Sequence, residues 1–212
     1  MEIQLDKKKT ALLVMDLQKH MIDEASPAAQ HTGFAKMVKQ TGLLERVGRV
    51  LNAARKANMF VGYVVVDLVN SSMPRYPDRG EFCRIIKSEL EDVNVLRPGA
   101  WGYSIDERVA PKKGEPVIPK GHVSAFAGSR LDSILRERGI KDLALLGVAT
   151  TFVVTGTVWS AITLGYSCLV IEDCCVAGSQ DAHRAAIAAF APVVDLCSSD
   201  EFIQAVQGSK NN

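Results

Sequence analysis

The hydrophobic positions of this chain form short continuous runs that alternate with a stretch of helical periodicity. Thr10 to Met15 (TALLVM) and Met59 to Val66 (MFVGYVVV) are apolar on both faces, as in strands buried within a parallel sheet. Between them, Phe34 to Ala57 repeats apolar residues at intervals of three and four, which predicts an amphipathic helix. A strand, a helix and a strand in this order indicate a βαβ unit and a mostly parallel sheet.

The second half of the chain continues the alternation with shorter elements. The pattern predicts strands at Val117 to Lys120, Leu143 to Gly147, Ser167 to Ile171 and Val193 to Leu196. It predicts helices at Arg130 to Arg138, Phe152 to Leu164, Ala182 to Ala191 and Ser199 to Val206, the last with Ser199 as its N-cap. We therefore expect one domain over residues 1–212, with a three-layer α/β/α, Rossmann-like fold around a mostly parallel central sheet.

Residues 67 to 116 differ in character, because prolines and glycines break any long element there. We interpret them as a loop-rich rim of the same domain and not as a linker. The reason is that several apolar residues of this segment still need burial, namely Leu90, Val93, Val95, Trp101 and Ile105.

One segment, the 29 positions from 143 to 171, has no charged residue. A transmembrane helix is one interpretation of such a run. Glycines at 147, 156 and 165 interrupt it and five threonines lie inside it, so we favour two buried strands flanking a buried helix and expect no membrane association.

Charge and cysteine usage exclude further classes of function. The formal net charge is +1, which provides no electrostatic basis for binding nucleic acid. The five cysteines show neither a C-x-x-C pair nor metal-finger spacing, and the start of the chain carries no targeting segment. These features predict a cytoplasmic protein in a reducing compartment.

Polar residues directly after predicted strands are the first candidates for chemistry, because open parallel sheets bind ligands at the carboxyl ends of their strands. Asp16 follows the first strand and Lys120 ends the third. Alone, Asp16 fits either a functional carboxylate or the cap of a turn, and Lys120 fits an ordinary surface lysine. At adjacent strand ends, the two would form an acid/base pair in one pocket. The turn from Gly147 to Thr150 would add the free N–H groups of a helix start, which suit an oxyanion.

Four stretches in this order resemble the isochorismatase-like hydrolases, also called the cysteine hydrolase superfamily. They are LLVMDLQ around Asp16, KGHVSAF from Lys120, LALLGVATTFVVTGT from Leu143 and VIEDCCVAG from Val170. The resemblance covers roughly Lys9 to Val206, which is nearly the whole chain. The resemblance implies a catalytic aspartate at Asp16 and a catalytic lysine at Lys120. It also implies a non-proline cis peptide between Val148 and Ala149 beside the oxyanion site.

The chain departs from this family at the nucleophile, because Val153 stands where the resemblance implies a catalytic cysteine. Thr150, Thr151 and Thr155 are nearby hydroxyls, but a threonine nucleophile needs a strong base and we expect no histidine there. The four histidines (His20, His31, His122 and His183) are interpreted as surface or rim residues. The Asp-x-His zinc pattern of some members is replaced by Asp67-Leu68-Val69, so we expect no metal and no cofactor.

Three functions remain compatible with these residues. The first is cysteine-independent hydrolysis of a small enol (vinyl) ether such as isochorismate, with Asp16 as the acid and Lys120 as its partner. The second is a non-catalytic family member that binds a small carboxylate or a protein partner. The third is an amidase that uses threonine or activated water.

The walls of the pocket and the assembly of the chain are predicted less directly. Trp101, Phe126 and Phe152 are candidate pocket walls, although each also fits an ordinary core position. Arg79 and Arg84 are candidate ligands of a substrate carboxylate, with a solvated surface as the alternative. The resemblance further implies a homodimer or homotetramer.

Overall fold

A computed structural model of the chain describes residues 3–67, 69–70, 77–80, 83–84 and 95–208. Its strands are β1 (Thr10–Met15), β2 (Phe60–Val66), β3 (Val117–Lys120), β4 (Asp142–Val148), β5 (Ser167–Val176) and β6 (Asp195–Cys197). They form one sheet in the order β3-β2-β1-β4-β5-β6, and every neighbouring pair is parallel. The predicted parallel sheet is thus confirmed. The strand order reverses direction between β1 and β4, which is where doubly wound sheets bind ligands.

Helices cover both faces of this sheet. They are α1 (Lys19–Ile22), α2 (Pro27–His31), α3 (Phe34–Thr41), α4 (Leu43–Lys56), α5 (Leu131–Glu137), α6 (Thr155–Thr163), α7 (Gln180–Phe190) and α8 (Ser199–Gly208). α4 packs with α8 on one face, and α6 packs with α7 on the other. The central strands β1 and β4 are therefore buried on both sides, which explains their uninterrupted apolar sequences. The predicted three-layer α/β/α fold is confirmed.

Two local predictions about helix ends were wrong. The periodic stretch from Phe34 to Ala57 forms two helices, because Gly42 adopts a left-handed conformation (φ +61°) that ends α3 and begins α4. Ser198, and not Ser199, caps α8. The Ser198 Oγ accepts a hydrogen bond from the Glu201 N–H, and the Glu201 carboxylate accepts one from the Ser198 N–H, which makes a capping box.

The rim contains two short 3₁₀ turns, Trp101–Tyr103 and Glu107–Val109. Ile105 packs against the core as expected, whereas Trp101 is 50% exposed, so the expectation that it needs burial was wrong. Leu90 and Val93 lie outside the described residues.

The uncharged segment 143–171 forms all but the first residue of β4, a π-helical turn (Thr150–Val154), α6 and the first half of β5. The helix predicted from Phe152 to Leu164 is not fully buried, since Trp159 is exposed on α6 and Phe152 and Leu164 are exposed just before and just after it. Within the described part of the chain, we find no helix with the length and apolar character needed to cross a membrane.

Gly147 lets the carboxyl ends of β1 and β4 approach each other. It pairs with Met15, the residue before Asp16, and has φ +138°. A Cβ atom there would lie 2.1 Å from the Met15 carbonyl oxygen, which no side chain tolerates. Any larger residue at 147 would therefore push apart the two strands that meet at the switch point.

We predict that Gly147→Ala lowers the free energy of unfolding by about 3 kcal/mol or more, because it combines backbone strain with a backbone clash. Gly48→Ala in α4 is the matched control, since its Cβ would meet nothing closer than 3.7 Å. The gain in helix propensity should stabilise that variant by up to about 1 kcal/mol. Urea unfolding measures both changes, and equal stabilities would contradict the account of β4.

Candidate active site

A buried ion pair lies at the carboxyl edge of the sheet. Lys120 Nζ is 2.9 Å from Asp16 Oδ2, and both side chains are less than a tenth exposed. The strands that carry them are not adjacent, contrary to expectation, because β2 lies between β1 and β3. The two side chains meet over the end of β2, so that the ion pair spans the width of this strand.

Burial raises the pKa of the Asp16 carboxyl above its ordinary value, and the nearby Lys120 ammonium only partly offsets this rise. Lys120 Nζ also donates a hydrogen bond to the His122 carbonyl oxygen at 2.9 Å. The second carboxylate oxygen, Asp16 Oδ1, is buried and has no hydrogen-bond partner among the described residues. A buried, unsatisfied oxygen is costly unless it carries a proton or meets a ligand.

Backbone contacts around the end of β2 hold the pair in place. Gln18 is fully buried, and its amide both accepts a hydrogen bond from the Val66 N–H (2.8 Å) and donates one to the Val66 carbonyl (3.0 Å). The Asp67 N–H donates to the Lys120 carbonyl (3.1 Å), and the Asp16 N–H donates to the Val64 carbonyl (2.9 Å). Asp16 itself has φ +56°, a conformation uncommon outside glycine. These contacts fix both side chains relative to β2.

Asp16 and Lys120 line a cavity of about 520 Å³. Its walls are mainly apolar, and its remaining described lining residues are His20, Met21, Ala28, Ala29, His31, Thr32, Phe34, Val66, His122, Val123, Val148, Ala149, Thr151, Phe152, Val153, Gly178 and Ala182. A volume of this size accommodates a small organic molecule.

The segment after β4 supplies one side of the cavity. The peptide bond between Val148 and Ala149 is cis, and both residues line the cavity. Val153 lines it as well and is almost completely buried. None of the five cysteines is among the described lining residues, so the cavity presents hydrocarbon and no thiol beside the ion pair.

The expectation that no histidine lies near the threonine hydroxyls after β4 was wrong. The structure places His183 Nδ1 2.9 Å from the Thr150 hydroxyl, and both side chains are buried. Burial lowers the pKa of His183, although Glu172 opposes this effect. Thr150 is not among the residues that line the cavity, whereas Thr151 is. The Thr150–His183 contact therefore links the β4 turn to α7 beneath the cavity wall.

The structure brings only some of the candidate wall residues to the cavity. Phe152 lines it. Phe126 instead stacks on Tyr166 with ring centroids 5.7 Å apart, and neither Phe126 nor Trp101 is among the described lining residues. Arg79 and Arg84 are exposed in the sparsely described rim, so their proposed contact with a substrate stays a prediction.

The histidines were interpreted as surface or rim residues, and this was wrong for His20 and His183, which are buried. His20, His31 and His122 all line the cavity. Among the described residues, no three His, Cys, Asp or Glu side chains are grouped so that they could share a metal ion. Gln18 and His122 were not predicted as site residues, although each lies two residues after a candidate catalytic residue, Asp16 or Lys120.

The chain is similar in sequence to a known protein family and to named proteins. Residues 10–201 match the family model described as the isochorismatase domain. The chain is 30% identical over 190 residues to the ureidoacrylate amidohydrolase RutB of Azorhizobium caulinodans, covering 85% of this chain and 82% of that protein. It is 28% identical over 193 residues to the protein of the same name from Acinetobacter baylyi, covering 87% and 78%.

Solved structures share the fold at lower identity. A cysteine hydrolase from Pseudomonas syringae superposes with a TM-score of 0.79 at 18% identity, covering 98% of this chain and 97% of that chain. The N-carbamoylsarcosine amidase of Thermoplasma acidophilum gives a TM-score of 0.68 at 24% identity, covering 91% and 97%.

We predict that Lys120→Met destabilises the fold by about 3–5 kcal/mol at neutral pH, because it leaves a buried carboxylate without its partner. The pKa of Asp16 is higher in the folded protein than in the unfolded chain, so protonation of Asp16 stabilises the fold at low pH. This stabilisation is lost as the pH rises through the folded-state pKa. Without the ammonium that offsets this rise, the defect of Lys120→Met should grow from acidic to alkaline pH.

Urea unfolding at several pH values checks this prediction. The double variant Asp16→Asn/Lys120→Met should cost less than the sum of its single variants, since it removes both charges. Lys113→Met is the matched control, because Lys113 is exposed and should show no such pH dependence. A Lys120→Met defect independent of pH would contradict the coupling.

Proposed function

The chain belongs to the isochorismatase family of hydrolases, and we propose that it hydrolyses a small enol (vinyl) ether such as isochorismate without a cysteine nucleophile. The observation that supports this most directly is the Asp16–Lys120 pair, 2.9 Å apart, in a cavity lined by Val153 and by no described cysteine. A vinyl ether needs a proton donor and a water molecule for its hydrolysis and no covalent intermediate with the protein.

In the proposed reaction, the Asp16 carboxyl gives its proton to the terminal vinyl carbon, and an oxocarbenium ion forms on the neighbouring carbon. Water adds to that carbon and returns a proton to the Asp16 carboxylate. In the resulting hemiketal, the bond between that carbon and the ether oxygen breaks, the hydroxyl proton passes to the departing ether oxygen, and a 2-oxo acid and an alcohol are released. One water molecule is consumed, and Asp16 ends in the state in which it began.

The electrostatics of the pair support an acid at this position. Burial raises the pKa of Asp16, which helps the carboxyl to hold a proton that it can donate. Lys120 opposes this rise in the pKa of Asp16 as long as no anion lies beside the ammonium. A substrate carboxylate beside Lys120 would balance the ammonium, so substrate binding itself would favour the protonated acid.

We predict that Asp16→Asn reduces pyruvate release from isochorismate by about 100-fold or more, since asparagine occupies the same volume but donates no catalytic proton. Activity of the unmodified protein should fall as the pH rises through the raised pKa of Asp16, because only the protonated carboxyl is an acid. A coupled lactate dehydrogenase assay across pH measures both effects.

Asp195→Asn provides the matched control, because Asp195 is an exposed aspartate on β6 and should leave the rate unchanged. Pyruvate release by the unmodified protein no faster than by Asp16→Asn would refute the proposed reaction. Binding of isochorismate without any turnover would instead favour a non-catalytic family member.

An amidase is the second candidate, and the observation that favours it is the set of ureidoacrylate amidohydrolases among the relatives. In this alternative, threonine or an activated water would replace the thiol that we infer to be missing at Val153. Ammonia release from ureidoacrylate by the unmodified protein, increasing with pH, would support the amidase over the enol ether hydrolase. Mass spectrometry of the intact protein during turnover would distinguish a covalent threonine intermediate from attack by water.

We further propose that the protein forms a homodimer or homotetramer through the outer side of α6. Trp159 is exposed there, within a segment that carries no charge. An uncharged, aromatic helix surface is typical of protein interfaces.

We predict that light scattering after gel filtration gives a multiple of the chain mass and that Trp159→Glu shifts the protein toward the monomer. Trp101→Glu is the matched control, because Trp101 is exposed to the same degree as Trp159 (50% and 47%) but lies in the rim. A monomeric unmodified protein, or identical behaviour of both variants, would contradict this interface.

The protein is also proposed to act in the cytoplasm. All five cysteines are free, and four of them are buried without a disulfide partner. Unpaired thiols in this number suit a reducing compartment.

A further inference from the structure

The side chain of Thr150 does not line the cavity, although both of its neighbours in the chain do. Ala149 and Thr151 are cavity residues, whereas Thr150 is completely buried outside the cavity. Its hydroxyl lies 2.9 Å from Nδ1 of His183, a residue of α7 that is 33 positions further along the chain. A side-chain contact therefore ties the turn after β4 to a helix that is distant in sequence.

The contact has a defined donor and a defined acceptor. The Thr150 hydroxyl has no other hydrogen-bond partner among the described residues, and the hydrogen of a buried hydroxyl needs an acceptor. The hydroxyl is therefore the donor and His183 Nδ1 the acceptor, which places the hydrogen of the neutral ring on Nε2. Burial lowers the pKa of His183 and favours this neutral ring, although Glu172 opposes the effect.

His183 lies between two cavities. Ala182, the residue before it, lines the cavity of the ion pair, whereas His183 lines a second cavity of about 380 Å³ that shares no described lining residue with the first. Its Nε2 lies 3.9 Å from a carboxylate oxygen of Glu172, which is beyond hydrogen-bond distance. Among the described residues, the hydrogen bonding of the ring is thus directed to the turn after β4.

The register of the sheet places this turn beside the ion pair. Met15 pairs with Gly147, so the next residues along the two parallel strands, Asp16 and Val148, are neighbours at the edge of the sheet. Ala149 follows Val148, and both line the cavity. The position of the turn therefore sets how closely the cavity wall approaches the Asp16 carboxyl.

Hydrogen bonds within the turn give it a shape but do not set its distance from α7. The N–H groups of Phe152 and Val154 both donate to the Ala149 carbonyl, so these bonds join near neighbours in the chain. The bond from Thr150 to His183 joins the turn to a different element. Loss of this bond would therefore free the turn to shift while its internal bonds persist.

We propose that His183 is a positioning residue for the reaction, because its Nδ1 holds the Thr150 hydroxyl and thereby fixes the cavity wall at Val148 and Ala149 beside the Asp16 carboxyl. This inference rests on the proposed function for the reaction that it assists. His183 does not line that cavity, so it acts through Thr150. Without the acceptor, substrate should still bind but should meet the acid in the productive orientation less often.

Isosteric variants separate the hydrogen bond from the packing of the ring. His183→Asn keeps an acceptor near the position of Nδ1, and His183→Leu has the same branched shape without an acceptor. Thr150→Ser keeps the hydroxyl, and Thr150→Val replaces it with a methyl group. Thr163→Val is the matched control, because Thr163 is an exposed threonine whose hydroxyl donates to the Trp159 carbonyl within its own helix.

We expect His183→Leu and Thr150→Val to lower kcat for pyruvate release from isochorismate about tenfold, with KM changed less than about threefold. His183→Asn and Thr150→Ser should recover most of kcat. Hydrogen exchange of the backbone amides from 148 to 154, measured by mass spectrometry, should be faster in the two apolar variants than in the two polar ones. Thr163→Val should match the unmodified protein in all three quantities.

The double variant Thr150→Val/His183→Leu distinguishes positioning from stability alone. Replacing both polar partners removes the unsatisfied group, so the free energy of unfolding should recover relative to the single variants. The kcat should stay low, because contact between two hydrocarbon groups lacks the direction of a hydrogen bond.

Equal kcat in His183→Leu and His183→Asn would overturn the proposal, and so would recovery of kcat together with stability in the double variant. Equal hydrogen exchange of the turn in His183→Leu and His183→Asn would overturn it whatever the substrate. Failure of the proposed function looks different, because the unmodified protein would then release no pyruvate while hydrogen exchange of the turn would still depend on the bond between Thr150 and His183.

Discussion

Two opposite charges are buried together at the carboxyl edge of a parallel sheet, and the arrangement of the surrounding chain follows from keeping them there. Moving an aspartate and a lysine out of water costs more than their attraction usually returns, so such a pair is rarely a net source of stability. The sheet offsets part of the cost by giving Lys120 two acceptors, Asp16 and the His122 carbonyl. Among the described residues Asp16 Oδ1 has no partner, and the cost of burying it falls at the position where the proposed substrate would bind.

Contacts around the pair fix the distances between the ends of β1, β2 and β4. Gln18 makes two hydrogen bonds to Val66 and so extends the pairing of β2 beyond the last residue of β1. Gly147 permits the close approach of β4 to Met15, which brings the Val148–Ala149 peptide to the same cavity. Backbone contacts from three different strands therefore converge on one small volume. A site built on strand ends in this way is more rigid than one built on long loops.

Much of the fold could be predicted from the sequence, because continuous apolar strands and periodic helices leave a strong local signal. The pairing of Asp16 with Lys120 in one cavity was also accessible, since a charged residue at the end of a buried strand needs a partner. What the sequence could not provide was tertiary: that β2 separates the two strands, that His183 reaches Thr150, and that Phe126 turns toward Tyr166 and away from the cavity. Each depends on how elements distant along the chain pack, which local periodicity does not encode. The break at Gly42 was visible as a glycine, but only the left-handed backbone distinguishes a helix end from a tolerated glycine.

Valine at position 153 changes the electrostatics of the cavity as well as its reactivity. A thiolate beside Lys120 would compete with Asp16 for the ammonium, whereas a hydrocarbon adds to the desolvation that raises the pKa of Asp16. In the proposed reaction, valine in the place of a thiol therefore favours a carboxyl that keeps its proton, which is the state required of an acid and not of a base. In the proposed reaction, the same apolar wall leaves a substrate carboxylate dependent on Lys120, the only lysine or arginine among the described residues that line the cavity. Proton donation by Asp16 and binding of a carboxylate at Lys120 would then share one physical cause, the low polarity of the cavity around the buried ion pair.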